Sequence, residues 1–336
     1  MLFQTLDHKK DCVGYFANNI IKSGEELPLE GETWELSEHL RGTRYEVGRI
    51  YSRGASLTDV CPENLRDEWE TIKKTLRACL KSFRTADLLL QENCFYDVVP
   101  EYFLYQYLDA KNKITQHVLD TIPRPVNYDF MYNLVEMLSD IRSRELSVNI
   151  GPIQHLLSSV RGQNFHRALQ TVKHVCDYNP WGTVTGRLST NPNSLPILTM
   201  NKEFRACIKP KNDWLVELDF NAAELRTLIA LTGEEQPQID IHEWNRKNIY
   251  RNIGSREDAK KRIFAWMYNS KSEDFLSNRA YDKETVKNKY WDGSRVETDY
   301  GRIIENVDEH HALNYIVQST TIDMVHEQAY KVYELL

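Results

Sequence analysis

The run Trp214-Leu215-Val216-Glu217-Leu218 is apolar at all but one position and ends in Asp219, directly ahead of Phe220-Asn221-Ala222-Ala223-Glu224. A carboxylate where a strand gives way to a helix stands where α/β structures present side chains to ligands. The plainer alternative is that Asp219 and Asn221 only cap that helix. Glu224, five residues on, lies in the first turns and can point into the same cleft as Asp219, while Leu225, Leu228, Ile229 and Leu231 face a core. A second set is spaced more regularly. Arg256, Lys260, Phe264 and Tyr268 recur every four residues, so they project from one helix face over about 18 Å. Two cations at one end suit a triphosphate, and two rings at the other suit a sugar and a base. The competing reading is an ordinary amphipathic helix with Phe264 and Tyr268 in the core and its charges solvated.

The elements that must position these residues follow from the same pattern. Residues 214–218 read as a short buried strand, and Asn221 as the cap of a helix over 222–232 that closes at Gly233. Further helices are expected over 256–268 and near 312–336. Upstream, Leu65, Trp69, Ile72, Leu76 and Leu80 recur at three and four residues, which predicts an amphipathic helix. Residues 102–119 and 128–144 repeat that pattern on either side of Ile122-Pro123-Arg124-Pro125, and two prolines there predict a helical hairpin rather than one helix. The first hundred residues read as helical, with a solvated acidic loop over 24–32 that includes Glu25 and Glu26. Asp67-Glu68-Trp69-Glu70 reads as the solvated face of its helix, so no exonuclease site is expected there.

Composition narrows the class. A chain of 336 residues with 41% apolar residues, 14 Gly and 11 Pro is globular, and it is long enough for two lobes. It holds no apolar run of membrane-spanning length, and Met1-Leu2-Phe3-Gln4 does not open a signal peptide. Cys12, Cys61, Cys79, Cys94, Cys176 and Cys207 form no C-x-x-C pair, so reduced thiols are expected rather than a zinc site or a disulfide framework. The net charge of −7 is unevenly spread: residues 1–100 hold 13 Lys/Arg against 17 Asp/Glu, and residues 240–303 hold 14 against 11. A basic cleft on an acidic protein is compatible with a nucleic-acid partner.

Taken in order, Thr185-Gly186-Arg187-Leu188-Ser189, Asp219-Phe220-Asn221-Ala222-Ala223-Glu224-Leu225-Arg226, Asp240-Ile241-His242, the helix of Arg256, Lys260, Phe264 and Tyr268, and Asn314-Tyr315-Ile316-Val317-Gln318 followed by Asp323 resemble the family A, DNA polymerase I-like DNA polymerases of phage type. The resemblance covers roughly residues 181–336, and five motifs in order are far more specific than any one. It implies an α+β right-hand polymerase of palm, fingers and thumb, with a mainly helical amino-terminal region over 1–100 and an incomplete palm. Thumb-like helices would fill 101–180, the palm 181–239, the fingers 240–302 and a palm-side helix 303–336. The implied partners are primer-template DNA and a dNTP, and no membrane. The implied location is the cytoplasm, that of a host if the chain is phage-encoded.

The roles that the resemblance implies are specific. Asp219 and the carbonyl of Phe220 would hold two Mg2+ ions, with Mn2+ a substitute. Glu224 would sit beneath the sugar and reject a 2′ hydroxyl. His242, Arg256 and Lys260 would grip the triphosphate, and Lys260 would give a proton to pyrophosphate. Phe264 would lie against the deoxyribose, and Tyr268 near the templating position. Arg187, Asn193, Asn314 and Gln318 would reach the minor groove of the primer-template end, while Lys111, Lys113 and Arg124 would track the duplex backbone. The sequence departs from the family at Asn269, where a glycine is usual, and after Arg187, where one residue fewer precedes Pro192-Asn193 and Ser194-Leu195-Pro196-Ile197-Leu198 replaces the usual continuation. The family's V-H-D-E-like hairpin, which bears the second metal-binding aspartate, has no counterpart here. Val325-His326-Glu327-Gln328 falls within the last helical pattern and reads as a decoy. The expectation is therefore a split polymerase whose second polypeptide supplies the motif C hairpin. The alternatives are a module that binds primer-template and dNTP without chemistry, a chain trimmed or interrupted by an intervening element, and kinship with single-subunit RNA polymerases, against which Glu224 and Phe264 favour deoxynucleotides.

Overall fold

Asn18 and Asn19 both adopt left-handed backbone, with φ of 51° and 57°. Two consecutive residues of that kind make the tight reversal that matches strand twist, and here they join β2 (Asp11–Ala17) to β3 (Ile20–Ser23). With β1 (Gln4–His8) the three form an antiparallel sheet. The expectation of a helical amino-terminal region is thus corrected at its start; the apolar pairs on either side of Asn-Asn are the hairpin signal. The computed structural model describes all residues except 9, 10, 25, 26, 89, 91, 92, 270 and 271, and leaves aside the side chains of 7, 8, 11 and 12. Glu25 and Glu26 of the expected acidic loop, and the Cys12 side chain, therefore lie outside the described residues.

The chain divides into two compact units. The first holds residues 1–146, 153–178 and 190–205. Its helices are α1 (Gly48–Tyr51), α2 (Arg66–Thr85), α3 (Phe95–Val98), α4 (Glu101–Thr121), α5 (Tyr128–Ser143) and α6 (Val160–Thr171). Leu6 and Phe16 of the sheet, Trp69 and Ile72 of α2, and Phe103, Leu104, Leu108 and Ile114 of α4 share one core. That core runs across the domain boundary expected at residue 100, so 1–100 and 101–121 do not fold as separate bodies. The two prolines act as expected, since α4 stops at Thr121 and α5 starts at Tyr128. Both helices pack against α1, and buried Tyr128 fixes the arrangement by accepting the Val47 N–H at 2.9 Å.

The second unit holds residues 147–152, 179–189 and 206–336. It contains α7 (Ala223–Thr232), α8 (Ile241–Asn248), α9 (Arg256–Tyr268), α10 (Phe275–Ala280), α11 (Lys283–Tyr290) and α12 (Glu309–Tyr333). Two short antiparallel pairs accompany them, Ser147–Val148 with Ile208–Lys209 and Val296–Glu297 with Ile303–Ile304. Helices with mainly antiparallel strands make this an α+β chain. Leu225, Leu228 and Ile229 of α7, Ile263 and Trp266 of α9, Val286 of α11 and Ile316 and Val317 of α12 form a single core. Residues 272–302, placed with the fingers only by their order in the chain, supply α10, α11 and one strand of a hairpin to it; Ser270 and Lys271 lie outside the described residues. Among the described residues no helix is long and apolar enough to cross a membrane.

One expected element is absent. Residues 214–220 run without turn or bend but pair with no strand, and Trp214, Val216 and Leu218 are 82%, 80% and 73% exposed. An apolar run is a strand only when another backbone takes up its N–H and C=O groups, and none among the described residues does so. Asn221 also fails to cap α7: the cap position is Ala222, in left-handed backbone at φ 50° without a side-chain bond, while Asn221 turns to Asp240 at 3.3 Å. Gly233 closes the helix at φ 78°, as the sequence indicates. Leu218→Ser should therefore shift stability by less than about 0.5 kcal/mol, whereas Leu225→Ala in the core should cost about 2 to 5 kcal/mol; urea unfolding of the two variants compares them directly.

Candidate nucleotide-binding site

Helix α9 starts from a capping box, in which the Ser255 hydroxyl accepts the Asp258 N–H and the Asp258 carboxylate accepts that of Ser255. This fixes the phase of the helix. Ala259, Ile263, Trp266 and Met267 then go to the core, and Arg256, Lys260, Phe264 and Tyr268 share another face, along which Phe264 and Tyr268 are themselves partly buried against that core. Each of these except Lys260 meets a residue from another element. The Arg256 guanidinium grips Asp240 with two bonds, 3.1 Å from Nε and 2.6 Å from Nη2. Asp240 also caps α8 by accepting the Glu243 N–H at 2.8 Å. The Arg256 bonds, with the Glu243 N–H and Asn221 amide, hold the Asp240 carboxyl well below the usual carboxylate range.

His242 is 3% exposed, and its ring lies 6.0 Å from that of Phe264. Burial first, and then the charge of Arg256, lowers its pKa, so the imidazole is neutral at pH 7. Its Nδ1 is buried with no hydrogen-bond partner. Lys260 is exposed and forms no ion pair with any described residue, a free cation on the face it shares with Arg256. Phe264 and Tyr268 are 6.0 Å apart, centroid to centroid. The Tyr268 hydroxyl donates to Glu224 Oε2 at 2.7 Å, and Arg187 Nη2 donates to Glu224 Oε1 at 3.0 Å. Burial, and then the Glu224 carboxylate, raises the Tyr268 pKa, so the phenol stays a donor.

The structure thus brings Arg187, Glu224, His242, Arg256, Phe264 and Tyr268 into one connected line, with Lys260 beside it. Asn314 and Gln318 lie one turn apart on α12, where the Asn314 Oδ1 is buried and unpartnered; α12 packs on α7 and α9. Asn193 belongs to the first unit, unlike Arg187. Asp219 and Phe220 are exposed, and the Asp219 carboxylate makes no hydrogen bond or ion pair with a described residue. One carboxylate and one carbonyl do not fit a pair of divalent ions, which need several hard oxygen donors. Among the described residues no group of three or more His, Cys, Asp or Glu could hold a metal.

Other expected contacts are answered internally. Lys113 is paired to Asp109 at 2.6 Å. Arg124 lies 4.3 Å from the Tyr128 ring and bonds Asp129, and Lys111 sits 5.4 Å from the Tyr107 ring. Asp67, Glu68 and Glu70 are exposed while Trp69 is buried, as a solvated helix face requires. His326 of the decoy segment is buried inside the unit, and Glu327 is held by Lys331 and Tyr300. Cys61, Cys94, Cys176 and Cys207 are buried free thiols and Cys79 is a partly buried one.

Two supporting residues were not singled out from sequence. Arg226 binds the carbonyls of Asn221, Pro237 and Ile239 at 3.0, 3.0 and 2.9 Å, which ties down the loop that delivers Asp240. Arg302 makes a two-bond pair with fully buried Asp323, at 2.8 and 2.6 Å. The guanidinium lies so close to Gly186, which has φ of 84°, that a Cβ there would fall 2.4 Å from it. Neither residue has a local signal, because its partners are carbonyls or a carboxylate distant in sequence. Compared against family models and against curated proteins, the chain matches none of either.

Burial and the charge of Arg302 lower the His326 pKa from 6.5 to about 4. The unfolded chain then takes up that proton first as pH falls, so the contribution is complete above pH 6.5 and is lost between 6.5 and 4. Wild type should lose about 2 kcal/mol more than His326→Gln between pH 7 and pH 5, measured as the difference between their urea unfolding free energies. Equal slopes would show that His326 does not titrate in this way.

Proposed function

We propose that this chain carries the nucleotide- and primer-template-binding part of a DNA-directed DNA polymerase of the family A type, with Asp219 as one carboxylate of its metal site. The observation that carries this reading is the connected line on α9: two cations, two rings, and a carboxylate held at its far end by Tyr268 and Arg187. Spacing alone also suits an amphipathic helix with its rings in the core. Both rings do pack partly buried against the core, and a solvated Lys260 suits either reading. The contacts add what an ordinary helix does not need: a buried imidazole beside the phenyl ring and a carboxylate fixed by two donors.

In this reading the primer 3′ hydroxyl gives up its proton to water, its oxygen attacks the α-phosphorus of a dNTP, the bond from that phosphorus to the α,β-bridging oxygen breaks, and pyrophosphate leaves. Arg256, Lys260 and His242 bind the triphosphate, and Lys260 supplies a proton to the leaving pyrophosphate. Phe264 supports the deoxyribose. Glu224, unable to swing while Tyr268 and Arg187 hold both its oxygens, leaves no room for a 2′ hydroxyl. Arg187, Asn314 and Gln318 contact the minor groove, whose acceptors are common to every correct pair. Metal chemistry needs more carboxylates than the described residues place beside Asp219, so Asp219 is assigned one ligand of that site and no more.

Mixing the chain with a polypeptide that bears an H-D hairpin should yield primer extension dependent on dNTP. Failure of the pair where an intact relative extends would sink the proposal. Asp219→Ala should abolish extension by the pair while primer-template binding persists; if extension persists, Asp219 has no catalytic part. A second reading, a binding module without chemistry, draws on the lone carboxylate and predicts binding but no extension with any hairpin polypeptide. Glu224→Ala should raise ribonucleotide incorporation at least tenfold relative to deoxynucleotide, read by paired incorporation assays, as a cavity opened beneath the sugar admits the extra oxygen; unchanged selectivity would remove the assignment.

A further inference from the structure

Every nitrogen of the Arg256 guanidinium faces a carboxylate. Nε and Nη2 donate to Asp240 at 3.1 and 2.6 Å, and Nη1 donates to Glu257 Oε1 at 2.7 Å. The two carboxylates are held very differently. Asp240 caps α8 and also accepts from the Asn221 amide, so its place is fixed by the backbone it closes. Glu257 is 62% exposed and bonds no other described residue. An exposed single contact of this kind contributes little to stability. The other acids of α8 and α9 have structural partners: Asp258 completes the capping box, and Glu243 pairs with Arg246 and Lys247.

We propose that Glu257 is an internal competitor at the cationic end of α9: its carboxylate occupies Arg256 in the free chain and is exchanged for a phosphate when a triphosphate binds. That the triphosphate is a nucleotide rests on the polymerase reading given above; the competition for Arg256 does not.

Charge and geometry both call for an exchange rather than a simple addition. Arg256 and Lys260 bring positive charge to this face, Asp240 and Glu257 bring as much negative charge, and the neutral imidazole of His242 adds none. An incoming triphosphate therefore meets no net positive charge until one carboxylate withdraws. The two parallel bonds to Asp240 are the stronger hold, and breaking them would also uncap α8, whose first turn carries His242. Releasing Glu257 breaks one bond and returns an exposed carboxylate to water. Asp240 is thus the seat of the guanidinium and Glu257 its exchangeable occupant. Lys260, one turn on from Arg256, is already open to the same ligand. The exchange lowers affinity and hastens departure, because an anion that loosens its hold on Arg256 is replaced by a carboxylate tethered beside it.

The test measures binding of inorganic triphosphate and of dATP to the complete chain, at low salt and without divalent ions. Glu257→Gln, of similar size but uncharged, should bind both about threefold or more tightly than wild type. Were Glu257 only a support that steadies Arg256, its loss would weaken binding instead. Glu305→Gln removes an exposed carboxylate that neighbours Arg295 rather than the α9 cations, and it should bind like wild type. Both side chains are exposed, so both variants should unfold near the wild-type urea midpoint. No gain for inorganic triphosphate in Glu257→Gln, or an equal gain in Glu305→Gln, overturns the competitor; dATP held more tightly than inorganic triphosphate then leaves the nucleotide reading standing. A gain for inorganic triphosphate with dATP bound no more tightly than it keeps the competitor and sinks the nucleotide reading. Neither ligand bound by either protein overturns both.

Discussion

Helix α9 sets the terms for the rest of the second unit because its two faces make opposite demands. Ile263 and Trp266 are fully buried, which fixes the helix rotation: turning it would expose an indole whose Nε1–H is already bonded to Asn278. With the rotation fixed, Arg256, Lys260, Phe264 and Tyr268 have no freedom to face elsewhere. Core packing thus orders Arg256, Phe264 and Tyr268 during folding, each held by a residue of another element, whereas exposed Lys260 keeps its side-chain freedom.

The far end of the line depends on a different device. Glu224 is held by Arg187, Arg187 follows Gly186, and Gly186 sits against a guanidinium locked by a buried carboxylate. A buried pair of this sort adds little net stability over an apolar replacement, but losing one partner strands a charge in the interior. Its effect is therefore geometric: Arg302 cannot retreat, so the loop that carries Arg187 has a rigid seat. Burial, with the same charge as the lesser cause, keeps His326 neutral, which ties this seat to the pH at which the unit loses stability.

The helices were legible where local pattern decides. The α9 boundaries, the stop at Gly233 and the break between α4 and α5 follow from periodicity, capping and proline, all readable within a few residues. The amino-terminal hairpin was legible in principle, since Asn18 and Asn19 stand between apolar pairs, yet helical periodicity further on dominated that stretch. Residue spacing identified the line on α9, but the restraints on it, Arg226 and the pair of Arg302 with Asp323, join positions up to 21 residues apart and have no periodic signature. Asn221 shows the limit from another side: its type suits a cap, and a nearby carboxylate and guanidinium outcompete the helix for it.

The strand expected over 214–218 differs in kind from those misreadings. Its sequence has the composition of a strand buried on both faces, and helix propensity does not compete with that pattern. What is missing is a property no strand possesses by itself, a neighbour. A segment of this composition left open to water would be expected to aggregate or to be covered. Its acidic neighbours, Asp213, Glu217 and Asp219, oppose self-association by charge while leaving the apolar face intact. Composition and charge thus pull the segment in opposite directions: its apolar residues favour cover, and the carboxylates at and between them disfavour cover by an identical segment in antiparallel register.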